Sequence, residues 1–197
     1  MPKSKKKIIA LVGMPGAGKT EVARFLINRN FKFIRLGQLT LDEVKRRGLE
    51  PGEASEKPIR EELRRKHGMA AFAILNFPKI DELLKKGNVV VDGLYSWEEY
   101  LAFKKKYGEQ VIIIAVYASP KTRYARLEAQ QYDKAKDINI TRRHYHKEEA
   151  QSRDRSQLEN IHTGGPIAMA DYIVVNEDGI KELIKQVEKI RKKLDEN

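Results

Sequence analysis

An octapeptide near the start of the chain restricts the fold more than any other feature. Residues 13–20 are Gly-Met-Pro-Gly-Ala-Gly-Lys-Thr and match the pattern G-x-x-x-x-G-K-[ST] at every fixed position. The apolar run Ile8–Val12 precedes them, and residues 22–29 after them follow helical spacing. A strand, a glycine-rich turn and a helix in this order place backbone N–H groups around phosphate oxygens. The chain is therefore expected to bind a polyphosphate at this loop.

Each residue type in the octapeptide has a physical task. Glycine lets the backbone curve around an anion without a Cβ clash, and the following helix points its positive end at the same anion. The lysine would reach the β- and γ-phosphates of a nucleotide, and the threonine hydroxyl would ligate Mg²⁺. The predicted nucleotide-binding residues are Gly13, Pro15, Gly16, Ala17, Gly18, Lys19 and Thr20.

Short β-rich segments alternate with longer helical patterns along the rest of the chain, which is typical of α/β proteins. Further strands are predicted at 31–36, 88–92, 111–118 and 172–175. Helices are predicted at 38–48, at 55–86 with breaks at Gly68 and Pro78, at 96–107, from 120, at 143–162 and at 180–194. Residues 131–142 indicate a polar loop, and Gly164-Gly165-Pro166 indicates a turn. Five strands with helical crossovers predict a doubly wound, mainly parallel sheet, whose ligands lie beyond the carboxyl ends of the strands.

The composition narrows the class of partner. The chain has 197 residues and a net charge of +11, from 39 Lys and Arg against 28 Asp and Glu. Most of this excess lies outside a basic tail at residues 1–7, and it favours nucleic acid, anionic lipid or phosphorylated small molecules. No apolar run reaches the roughly 18 residues of a membrane span, so a membrane partner is not expected. The absence of cysteine excludes disulfides and thiol catalysis and favours a reducing, cytoplasmic location.

One acidic residue is placed for catalysis. Asp92 ends the predicted strand at 88–92, at the sheet edge where the glycine-rich loop also lies. Its carboxylate could hold Mg²⁺ together with Thr20, or orient an acceptor. A simple Asp-Gly turn is the alternative interpretation. We predict that Asp92 serves both catalysis and metal binding.

Phosphoryl transfer needs cations around the moving group more than it needs covalent chemistry. Arg123 and Arg126 lie three apart on one side of the helix that begins at about residue 120, and Arg142 follows the polar loop. Together with Lys19, these three arginines are predicted to be catalytic. The alternative is a solvated helix face with exposed ion pairs, which would contribute little.

Two arginines and an aromatic residue are candidates for binding the acceptor. Arg60 and Arg64 lie four apart on a predicted helix and could bind an anionic group, although an ordinary charged surface has the same pattern. Tyr95 follows Asp92 closely and could stack on a nucleobase, or pack within the protein.

These motifs together resemble the P-loop nucleoside and nucleotide kinases. The resemblance extends over about residues 7–190 and is carried by the octapeptide, by Val91-Asp92-Gly93, by residues 118–124 and by residues 167–176. Within those kinases the chain is similar to a largely archaeal group described as adenylate-kinase-related or dephospho-CoA-kinase-like. The resemblance implies a three-layer α/β/α sandwich with a five-stranded parallel sheet in the order 2-3-1-4-5.

The resemblance also implies a single kinase domain at residues 8–197, with ATP as donor and Mg²⁺ as cofactor. An acceptor-binding helical section would cover about 37–86, and an arginine-bearing lid about 128–145. By the same resemblance, Asn176 lies near the adenine, and Gly37 and Gly93 line the acceptor side.

Two departures bear on the acceptor. Adenylate kinases carry Gly-Asp and then an Arg after the second strand, whereas here Gln38 follows Gly37 and Leu41 stands at the Arg position. Their Asp-Gly-Phe-Pro-Arg becomes Asp92-Gly93-Leu94-Tyr95-Ser96, so that Arg is also missing. The Asp that activates a hydroxyl in dephospho-CoA kinases has no counterpart between residues 31 and 41.

The predicted function is phosphoryl transfer from ATP to a nucleotide-like small molecule. A nucleoside monophosphate is the first candidate acceptor, and dephospho-CoA is the second. A different class is a nucleotide-binding sensor or a nucleic-acid-binding ATPase, and a kinase of nucleic-acid ends would use the same donor site. Nucleic acid is the less favoured partner, and the sequence predicts no oligomeric state.

Overall fold

A five-stranded parallel sheet forms the centre of the molecule. The computed structural model describes residues 6–129 and 147–196, and its strands are β1 (Ile8–Val12), β2 (Lys32–Arg35), β3 (Val89–Asp92), β4 (Val111–Tyr117) and β5 (Tyr172–Val175). Their order is β2-β3-β1-β4-β5, and each neighbouring pair is parallel. The strand order and the parallel pairing confirm the predicted fold.

Helices cover both faces of this sheet. The described helices are α1 (Lys19–Ile27), α2 (Gln38–Arg46), α3 (Glu53–His67), α4 (Ala71–Lys86), α5 (Trp97–Tyr107), α6 (Pro120–Ala129), α7 (Lys147–Ile161), α8 (Gly164–Ala168) and α9 (Ile180–Glu196). The helices α1 and α9 pack on one face, and α4, α5 and α8 pack on the other. In the described part of the chain, no helix combines the length and the apolar character needed to cross a membrane.

The strand β1 shows why the apolar runs of the sequence become central strands. Ile8, Ala10 and Val12 belong to the core on one face of the sheet, whereas Ile9 and Leu11 belong to the core on the other. Successive side chains of a strand point to opposite faces, so a strand covered on both sides must be apolar throughout.

Two predictions about the helices are wrong. The Gly164-Gly165-Pro166 segment is not a plain turn, because it begins the short helix α8, where proline in the first turn loses no intrahelical hydrogen bond. The helical region predicted at 55–86, with breaks at Gly68 and Pro78, is interrupted at Gly68 as expected, where the φ of +78° suits glycine. Pro78 does not interrupt it, because α4 runs through this residue with Asn76 and Ile80 both buried.

The strand β5 lies at one edge of the sheet, and a side chain from α9 covers part of it. The Gln186 amide accepts a hydrogen bond from the Val175 N–H at 2.9 Å and donates one to the Val175 carbonyl at 2.8 Å. Apolar side chains on this strand are exposed, Ile173 at 62% and Val175 at 42%. The amide of Gln186 therefore satisfies backbone groups that an edge strand would otherwise present to solvent.

Two predicted segments lie largely outside the described residues. They are the basic tail at 1–7 and the lid at about 128–145, which includes Arg142. The last tail residue, Lys7, is described, and its ammonium group donates a hydrogen bond to the Leu194 carbonyl near the end of α9.

Candidate active site

The octapeptide forms a tight loop between β1 and α1 that only glycine fits at its key positions. A Cβ on Gly13 would lie 2.3 Å from the Val116 carbonyl oxygen, and one on Gly18 would lie 2.3 Å from the Asn176 Nδ2 atom. Both glycines also have positive φ, as does Gly16. Because α1 begins directly after Gly18, its first N–H groups face the concave side of the loop. This geometry fits a phosphate group.

The predicted catalytic lysine lies inside this loop. The Lys19 ammonium donates hydrogen bonds to the carbonyls of Gly13 at 2.8 Å and Met14 at 3.1 Å, and the side chain is 8% exposed. Burial lowers the pKa of Lys19 to about 8, and the nearby carboxylate of Asp92 opposes this shift. The Tyr95 ring lies 5.6 Å from the ammonium nitrogen. Lys19 is therefore a buried cation with charged and aromatic neighbours.

Asp92 ends β3 beside the loop, as predicted, and the structure gives it a partner that sequence reasoning missed. Arg35, the last residue of β2, pairs with Asp92 in the β2–β3 register, and its Nε lies 3.5 Å from the Asp92 Oδ2 atom. The Asp92 Oδ1 atom is buried and accepts no hydrogen bond from the residues that the structure describes. The available signal was positional, since Arg35 and Asp92 end two strands that meet at one sheet edge.

Arg123, one of the predicted catalytic arginines, forms hydrogen bonds within the protein. The Arg123 guanidinium makes two hydrogen bonds to the Asp154 carboxylate, at 3.0 and 2.6 Å, and donates further bonds to the carbonyls of Ala118 and Pro15. Arg123 is 4% exposed, so it does not lie on the solvated helix face considered as its alternative. In this arrangement Arg123 joins α6 and α7 to the glycine-rich loop. Its catalytic role stays a prediction.

Arg126 and Asn176 connect the end of β5 to the same loop. The Arg126 Nη2 atom donates to the Asn176 carbonyl at 2.8 Å, and the Asn176 amide donates to the Ala17 carbonyl at 2.8 Å. The Arg126 Nη1 atom is buried and has no hydrogen-bond partner among the described residues. The structure therefore brings these two predicted residues together, on the opposite side of the loop from Asp92.

A further arginine reaches the site from α7. The positive charge of Arg153 is one of the influences that lower the pKa of Lys19, and it also opposes the rise in the pKa of Tyr95. Sequence analysis assigns no role to Arg153, because only the packing of α7 brings it near residues more than fifty positions away. Tyr95 therefore interacts with three cations: the charges of Arg35 and Arg153 lower its pKa, and the Lys19 ammonium lies over its ring.

The arginines predicted to bind the acceptor lie on α3. Arg60 pairs with Glu56 at 3.3 Å, and the Arg64 guanidinium lies 5.1 Å from the centre of the Phe72 ring. The Arg64 Nε atom is buried without a hydrogen-bond partner in the described part of the chain. The charge of Arg64 also acts on the buried carboxyl group of Glu99.

Glu99 is a further buried ionisable group beside Tyr95 that the sequence did not single out. It accepts hydrogen bonds from the N–H groups of Tyr95 at 2.8 Å and Ser96 at 3.1 Å, and it is completely buried. Burial raises the pKa of Glu99 to about 7 despite those bonds and the charge of Arg64. Glu99 completes a capping box with Ser96 at the start of α5, and this S-x-x-E pattern was the available signal.

Two predicted acceptor residues, Gly93 and Tyr95, follow Asp92 in the chain. Burial, and then the charge of Asp92, raise the pKa of Tyr95 to about 12, so its hydroxyl stays protonated at neutral pH. Gly93 has a φ of +91°, and a Cβ there would lie 3.2 Å from the Tyr95 ring. At Gly37, by contrast, a Cβ would meet no atom within 4 Å. Gly93 therefore positions the aromatic ring, whereas Gly37 borders open space.

The residues present are compatible with a magnesium ion bound together with a nucleotide. Within residues 6–129 and 147–196, no group of three or more His, Asp or Glu residues could hold a metal alone. Mg²⁺ commonly takes one or two protein ligands and completes its shell with water and phosphate oxygens. The unpartnered oxygen of Asp92 and the hydroxyl of Thr20, at the start of α1, suit such a site.

Comparison with known proteins identifies the family. A family model described as AAA domain matches residues 9–154. The UPF0200 protein of Pyrococcus horikoshii is 33% identical over 190 residues, which cover 95% of this chain and 97% of that protein. This chain belongs to the UPF0200 family. The UPF0200 protein of Pyrococcus furiosus is 36% identical over 186 residues, covering 93% of this chain and 95% of the relative.

Solved structures place this UPF0200 member among the P-loop small-molecule kinases in fold. A shikimate kinase from Bacteroides thetaiotaomicron has a TM-score of 0.57 at 19% identity and covers 94% of this chain and 98% of its own. A gluconokinase from Sinorhizobium meliloti has a TM-score of 0.54 at 13% identity, with coverage of 98% and 97%. The resemblance to P-loop kinases and to a largely archaeal family is confirmed.

Proposed function

We propose that this UPF0200 member transfers the γ-phosphoryl group of ATP to a nucleoside monophosphate, with Mg²⁺ as cofactor. The observation that carries the proposal is the glycine-lined loop holding Lys19 beside Asp92 at the edge of a kinase-like sheet. The arginines of the acceptor side support an anionic acceptor, because a guanidinium binds phosphate oxygens through paired hydrogen bonds.

On the donor side, the loop N–H groups from Gly13 to Thr20 would bind the phosphates. Lys19 would exchange its contacts with two loop carbonyls for phosphate oxygens, which are stronger partners for a buried cation. Thr20 and Asp92 would hold Mg²⁺, which neutralises charge on the β- and γ-phosphates. Asn176, with Arg126 bonded to it, would border the nucleoside part of ATP.

Charge neutralisation in the transition state is assigned to the arginines. The buried Nη1 atom of Arg126 has no hydrogen-bond partner in the part of the chain that the structure describes, which makes Arg126 the best placed of the two described candidates. Arg123 would act indirectly, by holding the loop through the Pro15 carbonyl. Arg142 belongs to the proposed lid at about 128–145 and would close over ATP, excluding water.

The acceptor would bind on the section at about 37–86 and next to Asp92. Arg60 and Arg64 would bind its anionic group, and Tyr95 would contact its base or its reacting end. Gly37 borders open space where the acceptor could lie, and Gly93 sets the position of the Tyr95 ring. A single domain over residues 8–197 would thus carry both substrates.

The test is a panel assay of ADP release. The full chain is incubated with ATP, Mg²⁺ and, separately, nucleoside monophosphates, nucleosides, dephospho-CoA and oligonucleotides. The proposal expects release that depends on a nucleoside monophosphate and disappears in Lys19→Ala. The matched control is Lys185→Ala on α9, because the Lys185 side chain is 74% exposed and pairs with Glu182 on the same helix.

Other outcomes of the panel would replace the proposal. Release that depends on dephospho-CoA would identify a hydroxyl acceptor instead. Release that needs no acceptor, or that follows an oligonucleotide with steep salt dependence, would identify a nucleotide-binding sensor or a nucleic-acid-binding ATPase. The net charge of +11 and the arginines missing from the acceptor side motivate this alternative class.

A further inference from the structure

The carboxyl ends of β2 and β3 bring a cation and an anion together at the candidate site. The parallel register pairs Arg35 with Asp92, and the Leu36 N–H donates a hydrogen bond to the Asp92 carbonyl at 3.0 Å. Both side chains are largely enclosed, at 17% and 9% exposure. The backbone therefore fixes Arg35 beside Asp92, whatever the surrounding loops do.

Arg35 acts on the same groups as the lysine of the glycine-rich loop. The charge of Arg35 opposes the rise in the pKa of Tyr95. The charge of Asp92 is the largest influence that opposes the lowering of the Lys19 pKa by burial. The Lys19 ammonium also lies against the Tyr95 ring. Lys19, at the start of α1, and Arg35, at the end of β2, thus approach one carboxylate and one aromatic ring from different elements.

We propose that Arg35 binds the reacting phosphate of the acceptor and so selects a phosphate monoester over a neutral hydroxyl. The inference rests on the proposed function. A donor bound at the glycine-rich loop places its γ-phosphate near Lys19, and an acceptor anion must approach it from the Asp92 side. That approach brings two anions together, and a fixed guanidinium at this edge reduces their repulsion.

The transfer step balances without a catalytic base. A phosphate monoester has a second pKa of about 6, so at neutral pH its attacking oxygen already carries a negative charge. This oxygen forms a bond to the γ-phosphorus while the bond from that phosphorus to the β,γ-bridging oxygen breaks. The electron pair of the broken bond leaves with ADP. A hydroxyl acceptor would instead need Asp92 to remove a proton.

The charge on Asp92 fits this assignment. One of its oxygens faces the Arg35 guanidinium, and the other is unpartnered among the described residues. The unpartnered oxygen suits Mg²⁺ or its bound water, which leaves Arg35 to hold the acceptor. Arg35 would change partners between Asp92 and the acceptor phosphate without leaving the sheet edge.

The test compares Arg35→Ala and Arg35→Lys with the unchanged protein. Steady-state kinetics measure the KM for the preferred nucleoside monophosphate and for ATP, and calorimetry measures monophosphate binding without turnover. Arg24→Ala is the matched control, because Arg24 lies on α1 outside the acceptor section, and its side chain is 48% exposed and pairs with Glu21 on the same helix. Thermal unfolding followed by circular dichroism checks that each variant folds.

The expected result is specific to the acceptor. Because hydrogen bonds between charged partners contribute about 1.5–3 kcal/mol, Arg35→Ala should raise the acceptor KM and Kd roughly 10- to 100-fold. The KM for ATP should stay unchanged. The acceptor KM and Kd of Arg35→Lys should lie between those of the unchanged protein and of Arg35→Ala, since lysine keeps the charge but loses the planar guanidinium. If Arg35→Ala does not fold, the lysine variant carries the same comparison.

Three results would overturn the inference in different ways. If the unchanged protein turns over a nucleoside monophosphate and both variants keep its KM and Kd, the assignment of Arg35 fails and the proposed function stands. If the unchanged protein neither binds nor phosphorylates any monophosphate, both fail. Phosphorylation of a nucleoside hydroxyl that survives in Arg35→Ala also overturns the selection of a phosphate acceptor.

Discussion

Replacing Lys19 by methionine should stabilise the fold while it abolishes nucleotide binding. Burial lowers the pKa of Lys19 from 10.5 to about 8, so the folded protein holds a proton less tightly than the unfolded chain. Each unit of difference in pKa corresponds to about 1.4 kcal/mol, so the charged lysine costs about 3 kcal/mol at neutral pH. Methionine keeps a similar length without the charge.

The sign of the pH dependence follows from the direction of the shift. Between about pH 8 and pH 10.5 the unfolded chain binds the extra proton, so raising the pH stabilises the unchanged protein relative to Lys19→Met. The advantage of the variant in unfolding free energy should fall from about 3 kcal/mol at pH 7 to about 1 kcal/mol at roughly pH 9.5. The variant also loses the hydrogen bonds of Lys19 to two loop carbonyls, and this loss changes the difference in unfolding free energy by the same amount at both pH values.

Urea unfolding at a series of pH values tests this prediction. The quantity to follow is the difference in unfolding free energy between Lys19→Met and the unchanged protein, because other titrating groups cancel in it. The matched control is Lys185→Met, which removes the charge of a lysine whose side chain is 74% exposed on α9. A difference for Lys19→Met that stays constant from pH 7 to pH 9.5 would refute the reasoning about the buried charge.

Further predictions concern the loop, the buried ion pair and the capping glutamate. Gly18→Ala should abolish ATP binding measured by calorimetry, since its Cβ would lie 2.3 Å from a side-chain nitrogen at a φ of +108°; normal affinity would contradict this. Asp154→Ala should cost about 3–5 kcal/mol in urea unfolding, because Arg123 would stay buried without its partner. The exposed control Glu182→Ala should change stability little. The unfolding free energy of Glu99→Gln should rise by about 3 kcal/mol relative to that of the unchanged protein as the pH rises from 4.5 through 7, because the raised pKa of Glu99 makes its charged form costly in the folded state. A difference in unfolding free energy that does not change with pH would disprove this.

The fold was predictable because local patterns and the global arrangement agree. Continuous apolar runs such as Ile8–Val12 and Val111–Tyr117 became central strands with helices on both sides. The helix α8 was missed because a Gly-Gly-Pro segment has turn propensity, and only packing of its buried Pro166 favours the helix. Tertiary contacts decided where local preference was weak.

The candidate site was predictable only where it is local in sequence. The octapeptide and Asp92 carry their own signals, because a strand end or a glycine pattern marks each of them. The contact of Arg35 with Asp92 spans β2 to β3, and that of Arg123 with Asp154 spans α6 to α7. The spacing of residues along one helix or strand does not predict contacts between elements that are far apart in the sequence. The roles of Arg123 and of the other acceptor and lid residues therefore stay predictions.

The amide that Gln186 presents to Val175 bears on how copies of this chain behave when concentrated. An edge strand with exposed Ile173 would otherwise offer another β-strand both hydrogen bonds and an apolar surface. Because one α9 side chain already occupies the N–H and the carbonyl of Val175, an incoming strand must first displace it. The helix thus opposes sheet extension at the Val175 end of β5.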